Sequence, residues 1–196
     1  RSAVRLSSLA EASLDVVDAY GNDNKGDGTF VFSRLTNLNV RNSTFHDNFD
    51  RVFRAFQFYT GTFLIADCVF ANNLDEKESD DSGGVAMFVK ESPTSQIRIV
   101  RTTFENNTAY DDRHSYGGAL FLKSDAVVED CVFRGNSATE GGAIYVDIAA
   151  AEFKIYRSVF EANVADIGGG VASCASSGAY TWNGLMVVAD VAATRN

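Results

Sequence analysis

Short runs of apolar residues recur along the chain at intervals too variable for a helical stripe. Phe followed three residues later by Asn occurs at Phe45/Asn48, Phe70/Asn73, Phe104/Asn107, Phe133/Asn136 and Phe160/Asn163, with a degenerate sixth copy at Ala193/Asn196. Successive Phe are 25, 34, 29 and 27 residues apart, a spread that suits short strands joined by loops of unequal size, whereas helical repeats keep a steadier period. Five residues before the Phe stand Val40, Ile65, Ile99, Val128, Ile155 and Val188, all β-branched, which favours strand over helix. Seven before it the column reads Leu38, Phe63, Ile97, Ala126, Phe153 and Met186, and two before it Ser43, Cys68, Thr102, Cys131, Ser158 and Val191. Glycine pairs then open apolar runs at Gly83-Gly84, Gly117-Gly118, Gly141-Gly142 and Gly168-Gly169, as a tight turn with positive φ requires.

These columns predict an all-β chain: a right-handed parallel β-helix, a solenoid of about six coils. Each coil holds a Gly-Gly strand, a strand with the β-branched residue, a corner and a short strand ending at the Phe. Equivalent residues stack about 4.8 Å apart and each coil buries its face on its neighbours. The repeat domain is placed at 28–196, as a fragment of a longer solenoid. Residues 1–27 are read as an N-terminal cap or covering segment, because Val4 to Val17 carry apolar residues at mixed helical spacing.

The register gives several polar residues structural work. The Phe rings stack along the axis and the Asn form an amide ladder, since buried amides must be paired. Three before the Phe, at the corner, stand Asn42, Asp67, Arg101, Asp130, Arg157 and Asp190. Charge alternates coil by coil there, which favours the intended stacking over a skipped coil. Cys68 and Cys131 share a column two coils apart, near 10 Å by strand spacing and beyond disulfide reach, so both are read as inert buried thiols.

The run Phe133-Arg134-Gly135-Asn136-Ser137-Ala138-Thr139-Glu140-Gly141-Gly142-Ala143-Ile144 resembles the Phe-x-x-Asn and Gly-Gly-Ala-Ile repeats of chlamydial polymorphic outer membrane proteins. The pattern also occurs in right-handed β-helix surface proteins of other microbes and algae. Paired motifs recur at 104–122 and 160–171, and the resemblance spans about residues 35 to 196. It implies a surface-exposed, adhesive or structural β-helix within the pectate-lyase-like superfamily, and it carries over no catalytic residue.

Composition narrows the partners. With 17 basic and 26 acidic residues the net charge is −9, which disfavours nucleic acid and anionic lipid, and no apolar run approaches the roughly 18 residues of a membrane span. The start at Arg1-Ser2-Ala3 lacks an initiator Met and a signal-peptide core, as in a mature or trimmed piece. Cys68, Cys131 and Cys174 lack metal or redox spacing and do not identify the compartment.

The superfamily also supplies an enzymatic alternative, a polysaccharide lyase or glycosidase. Phe70 to Gly83 and Phe104 to Gly117 each span 13 residues, against 8 for Phe133 to Gly141 and Phe160 to Gly168. Two long loops on adjacent coils predict one acidic ledge. Asp80, Asp81, Asp111, Asp112 and His114 are its catalytic candidates, since paired carboxylates can hydrolyse a glycoside. Asp75, Glu76, Asp80 and Asp81 offer the oxygen ligands Ca²⁺ prefers. The competing reading, a solvated acidic loop with no cofactor, takes precedence because no basic row stands beside the ledge to dock an anionic polysaccharide. His46 and His114, the full histidine content, flank no Ser or Cys nucleophile motif.

For contacts, the Gly-Gly strands are apolar at both parities, so one set must face outward. That places Met87, Phe121 and Tyr145 in an external stripe beside Val85, Ala119 and Ala143, open to a partner or covered by residues 1–27. Trp182, in an insertion between Cys174 and Gly184, is a further contact candidate, and Asn42 and Asn106 head glycosylation sequons. The last copy stops at Asn196 without a polar cap, which predicts further coils or a protein partner.

The expected function is therefore a non-enzymatic structural or adhesive module of an extracellular or cell-surface assembly. Its partners are proteins, further coils of the same protein, or glycans. The polysaccharide-active enzyme is the second reading, and an accessory subunit of a large intracellular or organellar complex the third.

Overall fold

The computed structural model describes residues 4–8, 11–23, 28–34, 37–49, 51–58, 61–76, 83–84, 86–90, 95–110, 114–123, 125–147, 152–174, 185–189 and 192–194. Within them the chain is a right-handed parallel β-solenoid with three seven-stranded sheets and one four-stranded sheet. The β-branched column is one continuous line of Cα partners running Val40, Ile65, Ile99, Val128, Ile155 and Val188, and Leu14 extends it one coil earlier. The second sheet, which follows the glycine pairs, includes Leu120–Lys123 and Ile144–Val146, and the third carries the Phe at the middle of strands such as Thr44–His46 and Val132–Arg134. The fourth sheet, absent from the expected coil, consists of Leu74–Glu76, Thr108–Tyr110, Ser137–Glu140 and Val164–Ile167, directly after the ladder Asn.

Parallel in-register stacking makes the interior a set of columns. Phe45, Phe70, Phe104, Phe133 and Phe160 are fully buried and stack with centroids 4.9, 4.9, 4.9 and 4.7 Å apart. The Asn amides run beside them. Asn48, Asn73, Asn107 and Asn136 each donate Nδ2 to the Oδ1 of the Asn one coil on, at 2.9–3.0 Å, and to a carbonyl of the coil before. A third column, Ser43, Cys68, Thr102, Cys131 and Ser158, donates O–H or S–H to the carbonyl two residues earlier. A thiol here does the work of a hydroxyl.

The corners explain the alternating charges. Asn42, Asp67, Arg101, Asp130 and Arg157 all adopt φ between 44° and 57°, the left-handed region that L side chains rarely occupy. With the corner fixed, each side chain projects beside its counterpart one coil away. Arg101 grips Asp67 with two bonds of 2.6 and 2.8 Å, and Arg157 grips Asp130 with two of 2.8 and 3.0 Å. The Gly-Gly turn needs glycine for two reasons: Gly117 sits at φ +64°, and a Cβ on Gly118 would lie 2.4 Å from the Gly142 carbonyl. Gly84, not Gly83, shares the positive φ of Gly117 and Gly141, so the first pair is offset by one residue from the alignment read in sequence.

The N-terminal segment is a coil and not a cover over the Gly-Gly strands. Val4–Ser7, Glu11–Asp15 and Asp18–Tyr20 pair in parallel with Phe30–Ser33, Asn37–Arg41 and Thr44–His46. Ala19 stands in the Phe column, and Asn22 begins the ladder with Nδ2 2.8 Å from Asn48 Oδ1. Val4, Leu6, Leu14, Val17 and Ala19 pack against the main core, an inward set with strand parity that the apparent helical spacing conceals. This rung precedes the six read from the Phe–Asn count.

Candidate functional site

The strands that precede the two long loops of the expected acidic ledge belong to the fourth sheet. Leu74–Glu76 pairs with Thr108–Tyr110, Glu76 opposite Tyr110, so the two long loops leave adjacent strands about 4.8 Å apart. Asp80, Asp81, Asp111 and Asp112 lie outside the described residues. Glu76 and His114 are exposed, and the His114 ring lies 6.4 Å from that of Tyr116.

Asp75 does not belong to this ledge. Strand alternation turns it inward, opposite Ala109, and it is fully buried. Its Oδ2 accepts from Arg51 Nε at 3.2 Å and Nη2 at 3.0 Å, and Arg51 is itself only 1% exposed. Asp75 Oδ1 has no hydrogen-bond partner among the described residues. A carboxylate committed to a buried guanidinium is unavailable as a Ca²⁺ ligand on the surface loop. Among the described residues no group of three or more His, Cys, Asp or Glu is arranged to hold a metal ion. Sequence offered no sign of the pair, because Arg51 belongs to none of the columns read there and Asp75 stands in the fourth-sheet column that Ala109, Ala138 and Ala165 otherwise fill.

The predicted stripe is also rearranged. Phe121 and Tyr145 do stand outside the main core, as partners on adjacent strands, yet they are only 2% and 6% exposed. Tyr116 covers them, with ring centroids 5.8 Å from Phe121 and 4.5 Å from Tyr145, and Lys123 Nζ sits 5.2 Å from the Phe121 centroid. Ala119 and Ala143 belong to the main core. Met87 keeps its place beside Phe121 along the backbone, while the Met87 side chain, Val85 and Trp182 lie outside the described residues. The cover comes from a residue just before the Gly-Gly turn, and an aromatic directly preceding Gly117 was its signal in sequence. Tyr116→Ser should expose both rings and cost about 1–3 kcal/mol through lost burial and aromatic contact. Urea unfolding and dye binding to exposed apolar surface would measure this; unchanged values would mean that Tyr116 does not cover the pair.

Several charged groups on the outside are paired between coils. Glu129 accepts from Arg98 at 2.9 Å and also pairs with Arg157, and those two guanidinium contacts, Arg98 first, hold its carboxyl below the usual carboxylate range. Arg134 bridges Glu105 and Glu161. The hydrogen bonds from Arg101 and Arg157 likewise lower the carboxyl pKa values of Asp67 and Asp130. Burial pushes the Cys131 thiol up to about 12 and raises that of Cys68, and both cysteines are free. Cys174 aligns with Val146 along the backbone.

The sequon residues Asn42 and Asn106 are both exposed. Asn42 Nδ2 donates to Asp15 Oδ1 at 3.0 Å; Thr44, which completes its sequon, is half-buried, and Ser43 between them is buried in the hydroxyl column. No helix among the described residues is long and apolar enough to cross a membrane.

Continuous Phe, Asn and hydroxyl columns inside, with charge pairs repeated from coil to coil outside, define a β-helical repeat protein. The chain matches the family described as right handed beta helix region over residues 18–184, and it belongs to that family. No curated protein and no solved structure matches it.

Proposed function

We propose that the chain is a non-enzymatic structural or adhesive β-helix module of a surface or extracellular assembly, acting through protein partners or further coils. The observation that carries this reading is how the outer charges are spent. Asp67, Arg101, Asp130, Arg157, Glu129 and Arg134 each engage a charge on a neighbouring coil, an arrangement that stiffens a rod instead of assembling reactive groups. The likeness to chlamydial outer membrane protein repeats and to the pectate-lyase-like superfamily points the same way for location. The assembly mass and composition of protein isolated from its native source, by light scattering and mass spectrometry, test the reading. A large defined complex is expected, and a bare 21.2 kDa monomer would overturn it.

One observation favours the polysaccharide-active reading: the loops bearing Asp80, Asp81, Asp111 and Asp112 spring from paired strands. Glycans are then the substrate class, with Ca²⁺ as an aid to docking.

A further inference from the structure

We propose that His46 is a pH-dependent clasp that fastens the N-terminal coil to the rest of the solenoid. His46 ends the strand Thr44–His46, directly opposite Tyr20 of the first coil. Its Nε2 lies 3.3 Å from Asp18 Oδ1 in that coil, and its Nδ1 lies 2.6 Å from Asp47 Oδ2 in its own turn. The Tyr20 ring stacks on the imidazole at 5.2 Å and 15°. On its other side, along the sheet, the strand Val69–Ala71 places Ala71 opposite His46, and that strand, Val69, Phe70 and Ala71, has no charged or titratable side chain.

The proton requirement follows from the donors. Ionised carboxylates only accept, and a neutral imidazole has one N–H. Both ring nitrogens face a carboxylate oxygen, so only the imidazolium makes both contacts. A cation also gains from the face of an aromatic ring. When the proton leaves, one contact to a carboxylate turns repulsive, and Asp18 and Asp47 lose the positive charge between them. In agreement with this geometry, the Asp47 hydrogen bond above all, with both carboxylate charges adding to it, raises the His46 pKa from its ordinary 6.5.

The sign is that of a group with a raised folded pKa. Its stabilisation is complete below about 6.5, the unfolded value, and is lost as pH rises through the higher folded value. The coil it holds pairs in parallel with Phe30–Ser33, Asn37–Arg41 and Thr44–His46, so a local opening between the two coils breaks the clasp together with those pairings. Acid therefore fastens the first rung and alkali loosens it.

Hydrogen exchange, corrected for the intrinsic effect of pH on exchange, reads this directly. The Val16 and Gly21 amides, bonded to the Arg41 and Asp47 carbonyls, should lose protection between pH 5.5 and 8, by about tenfold for each unit by which the pKa is raised. The Asn106 amide, bonded to Arg134 in the middle of the rod, should not change. His46→Gln should flatten the profile at the loosened level, and Asp18→Asn should reduce its slope. His114→Gln should leave it intact. A flat profile in the native chain, or an equal slope in His46→Gln, would overturn the proposal. Direct titration of the His46 ring by NMR does not depend on how the variants fold, and a value at or below 6.5 would equally overturn it.

Discussion

Asn107→Ala should lower the stability of the solenoid by about 3–5 kcal/mol. Asn107 is fully buried, and its amide is used on both sides. Nδ2 donates to the Phe70 carbonyl at 2.9 Å and to Asn136 Oδ1 at 3.0 Å, while Oδ1 accepts from Asn73 Nδ2 at 2.9 Å and from the Asn73 backbone N–H at 3.2 Å. Truncation strands partners in the coils on both sides, and each buried group left unpaired costs about 1–3 kcal/mol; shared relaxation keeps the total below the simple sum. Asn107→Asp should do no better, since a carboxylate retains the acceptor but turns repulsive toward Asn136 Oδ1 and the Phe70 carbonyl.

Asn22→Ala provides the internal comparison. That residue is half-buried at the start of the ladder and should cost only about 1 kcal/mol. Urea unfolding monitored by far-UV circular dichroism measures both. If Asn107→Ala fell within about 1 kcal/mol of the native chain, the amide ladder would be a consequence of stacking and not a cause of it.

The same columns determine how much of the fold is legible in the sequence. A parallel coil repeats its chemistry at one position per turn, so Val40, Ile65, Ile99, Val128 and Ile155 appear in sequence as one column and in space as one row of partners. The Phe stack, the Asn ladder and the Asp67–Arg101 and Asp130–Arg157 pairs were legible for that reason. The first coil was not, because Ala19 occupies the Phe position and a small residue at an end rung gives no aromatic signal. Nor was the cover on Phe121. Parity says which side of a strand faces outward, but Tyr116 arrives from the preceding turn, at a position that Gly83 and Glu140 fill in the adjacent coils, so no column of like residues announces it. Asp75 misled for a related cause. It stands in an acidic run whose neighbour Glu76 is exposed, and only the alternation of a short fourth strand turns it inward.

Asp75 carries the second large expectation. Asp75→Ala should destabilise the chain by about 3–5 kcal/mol, because it leaves the Arg51 guanidinium buried without its carboxylate. Arg51→Met should cost a similar amount by stranding Asp75, whose Oδ1 already lacks a partner among the described residues. The double variant Arg51→Met/Asp75→Val should behave otherwise. Both charges leave together, the Met stem follows the path of the Arg methylenes, and a β-branched residue suits the strand at 75. Stability within about 1 kcal/mol of the native chain, or above it, is expected, since well-packed apolar replacements often equal or exceed a buried ion pair. The coupling energy from this cycle, read by chemical denaturation, should therefore be several kcal/mol. Additive single effects of less than about 1 kcal/mol each would show instead that water reaches the pair and screens it. With large coupling and a tolerated double variant, the pair's value lies in selecting which coil Arg51 may enter: a shift by one rung would bury the guanidinium against Ala109 with no carboxylate to meet it.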